Sequence, residues 1–136
     1  MNELVIKDNE KIENLIYEIR GKQVILDSDL ARIYNCKNGT KEDNQAVKNN
    51  SEKYPERFSW VLTAEEWKFL RSKFLTLEDA SLGKGHYRKY LPRVFTEEGC
   101  LMLSTILKTK IATETTIAIM DAFVIMIRYL FFNIRK

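Results

Sequence analysis

Apolar and polar positions change period several times along the chain, and each change marks an element. Ile16-Tyr17-Glu18-Ile19-Arg20 and Gln23-Val24-Ile25-Leu26 are short runs rich in β-branched and aromatic residues, divided by Gly21-Lys22. They predict a β-hairpin whose glycine opens a two-residue loop of type II′. From Asp27 the period lengthens. Asp27 or Ser28 offers a capping oxygen, and Leu30, Ala31, Ile33 and Tyr34 supply the apolar face of a short helix. Asn35-Cys36-Lys37-Asn38-Gly39 is turn material. Thr40 can then cap a second helix, with Glu42 and Asp43 in the first turn, where the helix dipole favours acids. This helix should end near Lys53, because Pro55 drives the residue before it out of helical geometry.

Phe58 to Leu62 reads as a strand. Thr63 and Glu66 after it have capping-box spacing, and Leu62 can staple onto Trp67. The device recurs after a strand from Tyr90 to Phe95: Thr96 caps, Glu97 and Glu98 fill the first turn, and Phe95 faces Cys100. Between them, Thr76 to Lys89 holds Gly83-Lys84-Gly85 and predicts a loop or hairpin tip. The segment 113–134 is helical, with Ile117, Met120, Val124, Ile127, Phe131 and Ile134 alternating in steps of three and four. Ile119, Phe123, Met126 and Leu130 make a second apolar side, so one side packs internally and the other predicts a dimer interface. Asp121 and Arg128 interrupt this stretch, which argues against a membrane span. The fold class is α+β: an N-terminal hairpin, a helix-turn-helix-like pair, further short strands and helices, and a long C-terminal helix. One domain over 1–136 accounts for the length.

Composition narrows the function classes. The chain carries 45% hydrophobic and 30% charged residues, ordinary for a globular protein. Its charged N-terminus lacks the apolar run of a signal peptide, which predicts a cytoplasmic location. Cys36 and Cys100 are too few and too far apart for a disulfide framework or a Cys-x-x-Cys zinc site. His86 is the one histidine and has no evident orienting carboxylate, which removes Ser-His-Asp and Cys-His catalysis. Asp27 and Asp29, and the pairs Glu65-Glu66 and Glu97-Glu98, sit at helix starts and read as caps and dipole partners. No phosphate-cradling glycine motif occurs. The expectation is a protein without catalytic residues, metal or cofactor.

The net charge of +3 matters less than its distribution. Ala80 to Thr96 has no acid but contains Lys84, His86, Arg88, Lys89 and Arg93. The helix pair from Ser28 to Lys53 has helix-turn-helix organisation, and its second helix is polar. Asn and Gln suit adenine edges, whereas Lys suits phosphates and guanine. Thr40, Lys41, Asn44, Gln45, Lys48, Asn49 and Lys53 are therefore candidate contacts to double-stranded DNA. The alternative for that helix is a solvated surface, since Glu42, Asp43 and Glu52 offset its lysines. The basic segment favours DNA, since a winged module adds backbone contacts in this way and Lys84, Arg88, Lys89 and Arg93 would hold phosphates, with His86 either an exposed loop residue or a further phosphate or groove contact.

The order of motifs resembles a known family. Ile16 to Val24, Leu26 to Ala31, Ile33-Tyr34, Asn44 to Asn50, Tyr54 to Phe58, Leu62 to Trp67, Leu70 to Phe74, Tyr90 to Pro92, Phe95 to Gly99 and Ile117 to Val124 resemble the phage ORF-six-N domain, over about Ile16 to Arg128. The resemblance implies a DNA-binding domain related to the KilA-N and Bro-N domains, found in antirepressor-like regulators, with no catalytic activity. It also implies longer relatives with a second domain after the last helix, so this chain is either a minimal version or part of a longer one. Two positions depart from the pattern: Asp43, where relatives have an apolar residue, and Ile127, near a position often basic. Burying an unpaired carboxylate is expensive, so Asp43 is expected to be exposed or capping. The expected partners are double-stranded DNA, a second copy, and a repressor or other regulator. A protein-interaction module that binds DNA weakly or not at all is the rival reading, and a nuclease ranks last.

Overall fold

A computed structural model describes residues 11–36, 40–77, 90–107 and 109–135. The hairpin comprises β1 (Ile16–Ile19) and β2 (Lys22–Leu26), preceded by a 3-10 turn at Ile12–Leu15. Two helices follow, α1 (Asp27–Ile33) and α2 (Thr40–Asn49), then a second 3-10 turn at Ser51–Lys53. Next come β3 (Ser59–Val61), α3 (Ala64–Leu77), β4 (Arg93–Thr96), α4 (Glu97–Leu107) and α5 (Lys110–Arg135). Among the described residues the strands form one antiparallel sheet in the order β1-β2-β4-β3. The fold is α+β, as expected.

Both faces of the sheet are covered, which explains why Val24-Ile25-Leu26 of β2 and Val94-Phe95 of β4 are apolar without alternation. Ile25 and Phe95, paired across β2 and β4, turn to one face with Ile16, Leu30, Ile33, Cys100, Leu103, Ile119 and Phe123. Val24, Leu26 and Val94 turn to the other, with Ile19, Trp60, Leu62, Trp67 and Leu70. Thus α3 covers one face, and α1, α2, α4 and α5 the other. The sheet is the middle of three layers.

The hairpin turn differs from the expected one. Its loop residues are Arg20 and Gly21, both with positive φ (58° and 72°), so it has the type I′ signature and Ile19 pairs with Lys22. A loop one residue later would set Ile16 opposite Asp27 instead of Ile25. Arg20 is held in this conformation from outside. Its Nε donates to Glu66 Oε2 at 2.7 Å, and its guanidinium lies 4.7 Å from the centre of the Trp60 ring.

Helix starts follow the expected chemistry more closely. Glu66 N–H donates to Thr63 Oγ1 at 3.1 Å and Thr63 N–H to Glu66 Oε1 at 2.9 Å, closing the capping box. Gly99 N–H donates to Thr96 Oγ1 at 3.2 Å. The last helix begins earlier than position 113, because Thr109 Oγ1 accepts the Ala112 N–H at 2.9 Å. The strand expected from Tyr90 begins only at Arg93; Pro92 has no N–H to give a ladder. Residues Lys110–Phe132 of α5 are long and apolar enough to cross a membrane by length and composition. Ile119, Ala122 and Phe123 within them are nonetheless buried in the domain core.

Candidate nucleic-acid interface

The first helix of the pair ends on an asparagine that tolerates the left-handed region. Asn35 has φ 58°, Cys36 N–H donates to Ala31 O at 2.9 Å and Asn35 N–H to Arg32 O at 3.1 Å, a Schellman closure. The chain thereby leaves α1 sharply, and α2 packs back against it. Helical periodicity then sorts the side chains of α2. Asp43, Ala46 and Val47 are buried; Lys41, Gln45, Lys48 and Asn49 are exposed and share one stripe. On that stripe Gln45 Nε2 donates to Asn49 Oδ1 at 2.8 Å, which holds the two amides as a pair. At the end of the helix Asn50 Nδ2 donates to Ala46 O at 2.9 Å.

Behind this stripe lies a polar network. Asp27, buried at the start of α1, accepts the Arg93 backbone N–H at 3.0 Å and the Asn44 Nδ2 at 3.2 Å on the same Oδ2. The Arg93 guanidinium donates from Nε to Asn44 Oδ1 at 3.0 Å and from its terminal nitrogen to Ser59 Oγ at 3.1 Å. Ser59 Oγ donates onward to Val94 O at 2.9 Å. Burial draws the Arg93 guanidinium below its ordinary value, and the charge of Asp27 opposes that shift. Four elements meet in these bonds: α1, α2, β3 and β4. They set how α2 leans on the sheet.

Two of the candidate DNA contacts are less open than expected. Asn44 and Arg93 are half-buried and spend their polar atoms on this network rather than on an open surface. Strand parity explains Arg93, which lies two residues before Phe95 and so points to the face where α1 and α2 pack. Asp27 is not the N-cap residue: Leu26 occupies that position, and Asp27 Oδ2 is held in the network. Asp29 lies 3.4 Å from Arg32 on the same helix. Lys53 is exposed, but on the 3-10 turn beyond α2, which stops at Asn49 before reaching it. Thr40 opens α2, and its side chain lies outside the described residues, as do Lys84, His86, Arg88 and Lys89 entirely.

Asp43 contradicts the expectation that it is exposed or capping. It is 0% exposed, faces the core between α1 and α2, and its Oδ2 has no hydrogen-bond partner. Cys36 Sγ donates weakly to its Oδ1 at 3.9 Å. Burial, followed by the negative charges of Asp27 and Glu42, pushes the Asp43 carboxyl up to about 8. The same surroundings push the Cys36 thiol up to about 12, burial first and Asp43 next.

The ORF6N domain family model matches residues 14–106, from the first 3-10 turn to near the end of α4, with the whole helix pair inside. The chain belongs to the ORF6N domain family. No curated protein and no solved structure matches it. It is thus a phage-type regulatory domain, and the motifs that carry its resemblance have structural duties in this ORF6N fold. Tyr54 donates to Gly99 O at 3.1 Å, and Thr96 caps α4. Sequence reasoning missed Ser59 and Tyr54, and it did not foresee the bonds that hold Asn44 and Arg93 inside the network.

The network makes a prediction that separates structure from recognition. Arg93→Met should lower the unfolding free energy of the ORF6N domain by about 2–4 kcal/mol, because it strips Asn44 and Ser59 of a donor and Asp27 of its nearby charge. Urea unfolding followed by circular dichroism checks this. A variant of unchanged stability whose DNA affinity loses salt dependence would return Arg93 to the phosphate-contacting role.

Proposed function

We propose that this ORF6N domain binds double-stranded DNA as an antirepressor-like regulator in the cytoplasm, reading the major groove with the exposed stripe of α2. The observation that carries this reading is the segregation on that helix. Lys41, Gln45, Lys48 and Asn49 face outward together, while the opposite side is anchored in the core and through Asn44 to Asp27 and Arg93. Lysines at the edge of such a stripe suit phosphates, and planar amides between them suit base edges. The reading assigns the protein no catalytic role.

Fluorescence anisotropy of a labelled duplex at several salt concentrations tests it. Wild-type affinity should fall steeply with salt, and Lys41→Ala with Lys48→Ala should together reduce the slope of log K against log salt by about 2. Gln45→Ala should leave the slope unchanged and weaken discrimination between duplex sequences. Removing the charges of Lys84, Arg88 and Lys89 should reduce the slope again if the basic segment grips phosphates. Absence of binding at low salt would defeat the proposal. It would favour the second reading, a surface for another regulator, which the exposed Glu52 just beyond α2 supports.

A further inference from the structure

From Ile117 to Phe131 the side of α5 turned away from the core carries an apolar stripe. Ile117 and Phe131 are each 57% exposed, and Val124 and Ile127 are exposed between them. Leu130 repeats the helical phase of the buried Ile119 and Phe123 yet is exposed, so the last third of the helix runs past the core it packs on earlier. Met120, half-buried, completes the stripe, and the side chain of Ile134 lies outside the described residues. Asp121 and Arg128 flank the stripe. Both are exposed, and neither is bonded to any other described residue. Seven residues apart, they stand on the same flank.

We infer that this face is covered by a second copy of the chain, with the two α5 helices antiparallel about a two-fold axis near Val124. The stripe alternates steps of three and four, so its positions form a coiled-coil seam. In an antiparallel seam the residue that begins one step of three meets the residue that ends one on the other helix: Val124 lies beside Ile127 of the second copy, and Met120 beside its Phe131. The same register sets Asp121 beside Arg128 of the second copy, and symmetry repeats the pair. Parallel helices would instead match this flank with the opposite one. There Thr116 and Phe123 are already buried in their own domain, and neither charge meets an opposite. Charge complementarity thus selects both the occupant and its direction, independently of the DNA reading.

Sedimentation velocity on the full chain at micromolar concentration tests this. The wild type should be dimeric. Asp121→Arg and Arg128→Asp should each weaken the dimer roughly tenfold or more, because each creates two like-charge contacts. Combining both reversals in one chain should restore the dimer, and mixing the two single variants should give mixed dimers in preference to either homodimer. Both residues are exposed, so the circular dichroism spectra should match the wild type, and melting temperatures should fall only as far as the dimer is lost. Asp121→Ala and Arg128→Ala, each weakening the dimer roughly two- to fivefold, repeat the test without like-charge contacts. The inference is overturned by a monomeric wild type, by single reversals that dimerise normally, or by a double reversal that fails to recover. Wild-type protein that partitions into phosphatidylcholine vesicles instead of dimerising would overturn it as well, with lipid as the occupant of α5.

Discussion

Gly99→Ala should lower the unfolding free energy by about 3 kcal/mol, although it adds a single methyl group to a helix where alanine is normally preferred. A Cβ at this position would stand 2.1 Å from the carbonyl oxygen of Phe58 and 3.1 Å from its carbon. The oxygen cannot easily withdraw, because it accepts the Thr96 N–H at 3.0 Å and the Thr96 hydroxyl at 3.1 Å. The helix cannot easily withdraw either, since Gly99 N–H donates to Thr96 Oγ1 and its carbonyl accepts the Tyr54 hydroxyl. Relief requires α4 to shift off β3 and β4, breaking at least one of these bonds. Gly21 gives the contrast: nothing lies within 4 Å of its missing Cβ, and only its φ of +72° resists a side chain. Gly21→Ala should therefore cost about 1 kcal/mol, set by backbone strain alone. Urea unfolding of the two variants beside the wild type measures both, and a Gly99→Ala loss no greater than that of Gly21→Ala would refute the close-approach account.

The contrast between these glycines shows what a sequence can and cannot disclose. Gly21 is legible because a tight turn between two β-branched runs needs positive φ, a local demand. Gly99 answers to Phe58, 41 positions earlier and on another element, so no local pattern announces it. The same division runs through the candidate site. The Thr63–Glu66 box, the Thr96 cap and the polar stripe of α2 depend on residues a few positions apart, and the expectation and the structure agree there. Polarity alone places Asn44 and Arg93 on an open surface, whereas the structure half-buries both. Direction was nevertheless present: Arg93 shares the parity of Phe95, and that parity points inward. Which polar atoms would receive it depends on Asp27 and Ser59, brought together only by the sheet order.

Asp43 is the sharper case, because two local signals conflict at one residue. Its helical phase, in step with Ala46 and Val47, directs it inward, while its charge directs it outward. Packing prevails in the structure, and the carboxyl resolves the conflict by holding its proton, at about 8. The sign of the consequence follows from linkage. A carboxyl raised in the folded state costs nothing below its unfolded value near 4, where both states are protonated. As pH rises from there towards 8, the unfolded chain releases the proton freely while the folded chain must retain it, so stability declines throughout that window and levels off above it. With about 1.4 kcal/mol for each pH unit of difference, the decline amounts to several kcal/mol. Asp43→Asn should abolish it: close to the wild type at pH 4.5, and more stable by several kcal/mol at pH 8.5. Urea midpoints across this range measure the difference. The exposed stripe of α2 depends on the buried side that carries Asp43, so the DNA binding proposed for that stripe should also fade as the helix loosens towards pH 8, while the asparagine variant retains it. Parallel pH profiles for the two proteins would place the Asp43 carboxylate in water, and the burial of α2 against α1 would then have to be redrawn.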